Sequence, residues 1–357
     1  MPGKVFLMAG GGTGGHVIPA LAVARELERR GHMAFFVGTE RGVEARLVPA
    51  AGFELKLIRI GGLKRVGITQ TLGTLAQLPV TTAQMMRLIR TMKTSAVFSM
   101  GGYVAGPPVL AALAMGVPLV AMEPNAVPGF TNRRIGRFVN RALVSFPETS
   151  RYFPAGTTEQ TGLPVREEFF TLPPKPREAI FSVLVTGGSQ GSRTLNRAAR
   201  DSWPLFRQAG FPIRFILQTG RASFEELWQE FAKSGLEGEV RAFIDEMPAA
   251  FAAADLIVCR SGAGAVSELA ASGKPSVLVP FPFAADDHQI RNAEAFERAG
   301  AAKLVLDRDW TGEKLFEMVT ALAADREALD RMGEAARKFA RPGAARRAAE
   351  ILEEVAP

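Results

Sequence analysis

The chain has 357 residues, 47% hydrophobic and 22% charged, a mix that excludes intrinsic disorder and a length beyond one hydrophobic core. Lys and Arg exceed Asp and Glu by 43 to 36; the net charge of +7 suits an anionic partner, whether nucleic acid, phosphorylated substrate or membrane face. The lone cysteine, Cys259, excludes an internal disulfide and fits a reducing compartment, and its place after Leu256-Ile257-Val258 is that of a buried, inert thiol.

Short apolar runs alternate with helical patterns throughout, as in an α/β protein whose parallel sheets carry helices on both faces. Lys4-Val5-Phe6-Leu7-Met8-Ala9 runs straight into glycines, unlike a signal peptide. A strand at 5–8 leads into the turn Gly10-Gly11-Gly12-Thr13-Gly14-Gly15 and an amphipathic helix at 17–30, capped by Gly31 and followed by a strand at 33–37. Further strands are predicted at 53–60, 96–99, 118–122 and 142–144. Residues 101–122 carry no charge and are long enough to tempt a transmembrane reading. Pro107, Pro108 and Pro118, with Gly106 and Gly116, instead break that stretch into a short helix at 109–115, a turn and a buried strand.

Composition shifts at Thr171-Leu172-Pro173-Pro174-Lys175-Pro176-Arg177, so a linker over 166–177 is expected between domains at 1–165 and 178–341. The opening pattern then returns: a strand at 181–185, the turn Thr186-Gly187-Gly188-Ser189-Gln190-Gly191-Ser192, and a helix. A third instance runs from a strand at 256–259 through Arg260-Ser261-Gly262-Ala263-Gly264-Ala265-Val266-Ser267-Glu268 to a helix ending near Gly273-Lys274-Pro275. The pattern predicts two Rossmann-like domains, with a last helix within 342–357 expected to cross back to the first.

Glycine after a parallel strand lets phosphate oxygens approach main-chain N–H groups at the positive end of the next helix, and three such turns in one chain favour a phosphate-bearing ligand. No Gly-x-x-x-x-Gly-Lys-Ser/Thr occurs, which disfavours a P-loop NTPase. Gly10, Gly12 and Gly15 have dinucleotide-fingerprint spacing, but His16 comes next and no acid ends the second strand at Phe36-Val37-Gly38-Thr39, so a nicotinamide cofactor is the weaker reading. His16, one of three histidines, stands at the mouth of that turn, where it either bonds nearby backbone or serves as a general base. Glu268, placed on the first turn of its helix, either complements the dipole or accepts both hydroxyls of a ribose. Asp286-Asp287-His288-Gln289 with Asn292 lacks a second cluster to complete a metal site, and Gln289 fits sugar hydroxyls without one.

These residues together resemble the MurG family, bacterial transferases that add N-acetylglucosamine to lipid I to make lipid II. The resemblance covers nearly the whole chain. It rests on Gly11-Gly12-Thr13-Gly14-Gly15-His16, Gly101-Gly102-Tyr103, Glu123-Pro124-Asn125 with Thr131-Asn132, and Gly162-Leu163-Pro164-Val165-Arg166. It continues through Gly187-Gly188-Ser189-Gln190-Gly191, Phe243-Ile244-Asp245-Glu246-Met247, Cys259-Arg260-Ser261-Gly262-Ala263 and Gln289 with Asn292-Ala293. The resemblance implies a GT-B fold, two Rossmann-like domains facing each other across a cleft, and no cofactor or essential metal. UDP-N-acetylglucosamine would bind mainly to the second domain: backbone at Ile244 on uracil, Glu268 on ribose, and Ser189 with Ala263, Gly264, Ala265, Val266 and Ser267 on pyrophosphate. Arg166 and Gln289 would bind the donor too, and Thr13, Gly14, Gly15 and Asn125 would complete the site. His16 would deprotonate the acceptor hydroxyl, with Glu123 a second candidate base, and Tyr103 and Asn132 would stand on the acceptor side. The reaction would invert the anomeric centre and form a β1,4 linkage.

Where some relatives carry paired glutamines this chain has His288-Gln289, so only Gln289 is expected to touch sugar, and Pro124 stands where relatives often have glutamine. A lipid-linked acceptor implies a peripheral enzyme on the cytoplasmic face of the cell membrane, where other cell-wall synthesis proteins are candidate partners. Leu72, Leu75, Leu78 and Val80, rimmed by Lys64, Arg65, Arg87, Arg90 and Lys93, are the expected contact with anionic lipid. Met85, Leu88, Ile89 and Met92 keep helical spacing and are expected to face the sheet. The remaining readings are a transferase with another lipid or small aglycone as acceptor, a nucleotide sensor that needs no His16, and a nucleic-acid binder. The last lacks a Lys/Arg stripe, a groove-reading motif and aromatic stacking platforms.

Overall fold

A computed structural model describes residues 3–61, 68–176 and 178–357, and the chain divides into two compact units, Met1–Val165 with Gly343–Pro357, and Arg166–Pro342. In the first unit the strands are β1 (Val5–Gly10), β2 (Met33–Gly38), β3 (Glu54–Leu57), β4 (Ala96–Gly101), β5 (Leu119–Glu123), β6 (Arg141–Val144) and β7 (Thr158–Glu159). They form one parallel sheet in the order β3-β2-β1-β4-β5-β6-β7. The helices are α1 (Gly14–Arg29), α2 (Glu44–Ala50), α3 (Ile68–Thr91), α4 (Gly106–Met115) and α5 (Phe130–Ile135). A parallel sheet covered on both faces needs strands apolar throughout, and β1, β4 and β5 are buried along almost all of their length.

The second unit repeats the plan. Its strands are β8 (Phe181–Thr186), β9 (Ile213–Gln218), β10 (Glu237–Arg241), β11 (Leu256–Cys259), β12 (Ser276–Leu278) and β13 (Lys303–Leu304), parallel in the order β10-β9-β8-β11-β12-β13. Helices α6 (Arg193–Ala209), α7 (Phe224–Ser234), α8 (Met247–Ala253), α9 (Ala263–Ser272), α10 (His288–Arg298), α11 (Gly312–Ala324) and α12 (Arg326–Arg337) accompany them. Trp203, Phe206, Phe215 and Trp310 anchor its core. Residues 166–176 pack on this unit: the Phe169 ring meets Phe251 edge-on at 5.0 Å, and Lys175 Nζ reaches Asp255 at 2.6 Å.

The last helix, α13 (Ala344–Val355), lies with the first unit. Arg30 bonds Glu350 at 3.2 Å and Glu353 at 3.0 Å, Lys4 Nζ donates to the Ala356 carbonyl at 2.7 Å, and Arg347 pairs with Glu159. In both sheets the chain winds outward from one strand and returns to its other side, so the order reverses between β1 and β4 and between β8 and β11. Crevices at such reversals, at the carboxyl ends of strands, are where open α/β sheets hold ligands. All three glycine-rich turns lie directly after one of these strands. No described helix is long and apolar enough to cross a membrane.

Candidate active site

In the first unit, β1 gives way at Gly10, where its pairing with β4 slips, to a turn in which Gly12 takes φ +83° and Thr13 precedes the helix. His16 falls in the first turn of α1. Its Nδ1 lies 3.2 Å from the Gly11 carbonyl, which can only accept, so that ring nitrogen carries a proton; in the neutral form of the ring the lone pair is then on Nε2. The β4 strand ends in Gly101 and Gly102, both at φ +76°. Added side chains there would press on Asn132 and on the His16 ring, so this glycine pair seats both residues. Tyr103 then packs its ring against Gly12 and remains 38% exposed, which places it beside His16 at one strand end. Thr13 and Gly15 are exposed, and Gly14 and Asn125 are partly so.

Glu123 and Asn132 are both buried, each only 2% exposed. The Glu123 carboxylate accepts from the Asn125 N–H at 3.0 Å, Asn125 Nδ2 at 3.1 Å, the Gly129 N–H at 3.1 Å and Asn132 Nδ2 at 2.9 Å. Burial raises its pKa while these four donors oppose the shift. A carboxylate so engaged holds the 123–129 loop. Asn132 spends its amide nitrogen on Glu123 and on the Met122 carbonyl, so it supports this loop from beneath.

One residue of this site escapes the sequence reading. Glu44, the first residue of α2, is fully buried beneath the β1–α1 turn and accepts from the Gly12 N–H at 2.8 Å, the Thr39 N–H at 2.9 Å and the Thr39 hydroxyl at 2.9 Å. Gly11, Gly38 and Gly42 leave room for its side chain. Burial works against its charge, but the Thr39 and Gly12 donors outweigh it and hold the carboxyl below its ordinary range. No acid ends β2; this one arrives from the next helix. The flanking Gly38-Thr39 and Gly42 were the only signal available.

In the second unit, Ser192 caps α6 by accepting from the Leu195 N–H at 3.3 Å, and Ser189 stands exposed in the turn before it. Gly191, at φ +73°, passes so near the Thr219 carbonyl that no side chain would fit. Helix α9 begins at Ala263, with Gly262 as its N-cap and no side-chain capping bond. Arg260 ties these ends together: it bonds Asp307 at 2.6 Å, Ser192 Oγ at 2.7 Å and the Val279 carbonyl at 3.0 Å. Like Glu44, it is a structural member of the site that the motif left without a role.

Glu268 lies in the second turn of α9, one turn later than expected, because the helix starts only at Ala263. Burial pushes its carboxyl up to about 7, and the Arg166 guanidinium pulls the other way. Arg166 itself stacks over Phe169 at 5.1 Å and reaches the Asp245 carbonyl at 3.4 Å. The Ile244 N–H donates to Gln218 Oε1 at 2.8 Å. The Gln289 side-chain oxygen accepts from the Phe281 N–H at 3.0 Å, and its amide nitrogen lies beside Gly262 at the start of α9. Asp286 and Asp287, at φ 52° and 53°, hold the strained loop that delivers Gln289. No metal-holding group of His, Cys, Asp and Glu occurs among the described residues. Cys259 is buried and its thiol is pushed up to about 12, so it is not a nucleophile.

Residues 6–144 match the glycosyltransferase family 28 N-terminal domain, and residues 182–348 match the family 28 C-terminal domain. The chain is 69% identical to the UDP-N-acetylglucosamine–N-acetylmuramyl-(pentapeptide) pyrophosphoryl-undecaprenol N-acetylglucosamine transferase of Solibacter usitatus, with 98% of this chain and 96% of that protein covered. The crystal structure of Acinetobacter baumannii MurG superimposes with a TM-score of 0.83 at 34% identity, covering 98% of this chain and 99% of that one. A kitacinnamycin glycosyltransferase, 21% identical over the full length of both chains with a TM-score of 0.76, shares the fold alone. The two parallel-sheet units are thus those of a GT-B fold.

Proposed function

The chain belongs to the MurG transferases of glycosyltransferase family 28, and from that premise we infer that it moves N-acetylglucosamine from UDP-N-acetylglucosamine to the muramoyl C4 hydroxyl of lipid I. The product is lipid II, for peptidoglycan synthesis. In the step itself, His16 Nε2 takes the proton of the C4 hydroxyl as its oxygen attacks the anomeric carbon. The bond from that carbon to the pyrophosphate breaks with inversion, and UDP leaves as the anion.

Donor recognition falls to the second unit. The Ile244 carbonyl meets the uracil and Glu268 the ribose, while Ser189 and the start of α9, from Ala263 to Ser267, take the pyrophosphate, with Arg166 and Gln289 beside them. Thr13, Gly14, Gly15 and Asn125 contribute from the first unit, and Tyr103 faces the acceptor. The observation that carries the catalytic assignment is the His16 ring, seated against Gly102 with Nδ1 bonded to the Gly11 carbonyl. The test is transfer of labelled sugar to a lipid I analogue by the wild type and by His16→Ala, with donor affinity measured separately by calorimetry.

A lipid-linked acceptor also calls for contact with the anionic cytoplasmic face of the membrane, and the first unit offers it. Lys64 and Arg65, and the side chains of Leu72 and Leu75, lie outside the described residues. Val80 on α3 is 61% exposed, and Leu110 on α4 is 40% exposed, whereas Met85 and Ile89 of α3 turn into the core. Arg87 and Arg90 are exposed along the same helix, and Lys93 is exposed in the turn that follows it. Apolar side chains rimmed by cations suit anionic lipid. Val80→Glu should reduce co-sedimentation with anionic vesicles while leaving UDP affinity intact; unchanged co-sedimentation at low salt refutes this surface.

A further inference from the structure

The Gly11 carbonyl that receives the His16 Nδ1 proton and the Gly12 N–H that donates to Glu44 are the two ends of one peptide group. The structure therefore contains a continuous chain: Glu44 carboxylate, Gly11–Gly12 peptide, His16 imidazole. We propose that Glu44 is a positioning residue for the transfer reaction, acting through this peptide to fix the His16 tautomer. This rests on the reading of His16 as the base.

The physics runs in one direction along the chain. A buried carboxylate bonded to an N–H polarises the amide and makes its carbonyl a stronger acceptor, since hydrogen bonds in series reinforce one another in a low dielectric. The stronger acceptor demands the proton on Nδ1, and a neutral ring then presents its lone pair on Nε2. A carboxylate that orients a histidine ordinarily touches the ring itself. Here the strand-to-helix turn lies between them, and the peptide carries the bond across.

The local sequence is built around this arrangement. Gly11, Gly38 and Gly42 clear the space that the carboxylate fills, and Thr39 binds the second oxygen with both its N–H and its hydroxyl. Among the described residues, Glu44 thereby accepts from backbone N–H groups and the Thr39 hydroxyl, none of them a cation. It also consumes the Gly12 N–H, a donor that a glycine-rich turn ordinarily offers to a phosphate. Within this turn the Gly11–Gly12 peptide is thus given over to shaping a histidine.

The chain has three histidines, so nitrogen-15 spectra of histidine-labelled protein resolve His16 directly, with His16→Ala as the assignment control. In the wild type at high pH, His16 should carry its proton on Nδ1; a proton on Nε2 overturns the proposal without any Glu44 variant. Glu44→Gln should shift the ring toward the Nε2-protonated form and lower kcat about 10- to 100-fold, with the KM for UDP-N-acetylglucosamine held within about twofold. An unmoved tautomer in Glu44→Gln refutes the relay. Thr39→Val loses only the hydroxyl bond to the other carboxylate oxygen and should keep the wild-type tautomer; a shift as large as that of Glu44→Gln reduces the effect to local packing and overturns the proposal. If Glu44→Gln fails to fold, Glu44→Asp, which withdraws the carboxylate by one methylene, must show the same partial shift. Should His16→Ala keep full turnover, the base assignment falls, while the tautomer spectra still decide whether Glu44 governs the ring.

Discussion

The β1–α1 and β11–α9 turns use the same backbone device at the same kind of place and end in opposite chemistries. Each leaves a buried parallel strand at the point where its sheet reverses order, and each begins a helix that has no side-chain capping bond. Under the first turn lies a buried carboxylate that takes the Gly12 N–H at 2.8 Å. Beside the second lie a carboxamide nitrogen, from Gln289, and the neighbouring Arg260. A turn with an internal anion is neutralised before any ligand arrives, and it can present a histidine. A turn flanked by donors leaves its amides available to an anion, which is the role proposed for this one. The side chain beneath a glycine-rich turn therefore decides its chemistry more than the residues next to it in sequence.

The comparison breaks most sharply at His16. His16→Ala should lower turnover by roughly two to four powers of ten, the usual range for a positioned general base, with UDP affinity nearly unchanged. Equal losses in both quantities would place the residue in donor binding and erase the distinction between the two turns. Glu268→Gln tests the other side. Replacing a carboxylate that accepts from ribose hydroxyls should weaken UDP-N-acetylglucosamine binding by about 10- to 100-fold, with the kcat at saturating donor little altered. A loss of kcat alone would move Glu268 out of the donor site.

The turns were legible in the sequence because both signals are local: an apolar run such as Leu256 to Cys259, then glycine. The strand β10 was not, since Glu237-Gly238-Glu239-Val240-Arg241 forms the polar edge of its sheet and alternates too weakly to stand out. Gly238 there passes against the Phe215 backbone, a contact that only pairing with β9 reveals. Candidate residues were legible from motifs, but their depth was not. Glu123 and Asn132 are both buried; a motif records which residues are neighbours and not which of them faces solvent. Glu44 escaped for the same reason, since it becomes a buried acceptor only when the fold brings Gly11 and the Gly12 N–H of another element over it.

The smallest predicted effect sharpens the contrast further, because it depends on charge alone. Glu44, held by backbone N–H groups and the Thr39 hydroxyl, has its pKa lowered, whereas Glu268 is raised to about 7 by burial. Ribose hydroxyls donate, so the donor selects the ionised form of Glu268. A carboxyl with a raised pKa supplies that form above about 7 and loses it as pH falls through that value. UDP-N-acetylglucosamine, whose pyrophosphate does not titrate in this range, should therefore bind about tenfold more weakly at pH 6 than at pH 8. Calorimetry at the two pH values measures this, and Glu268→Gln should make the profile flat. Removing the opposing cation with Arg166→Ala should move the loss to higher pH. If affinity is level from pH 6 to 8 in the wild type, Glu268 is ionised throughout, and the two carboxylates differ in position but not in charge.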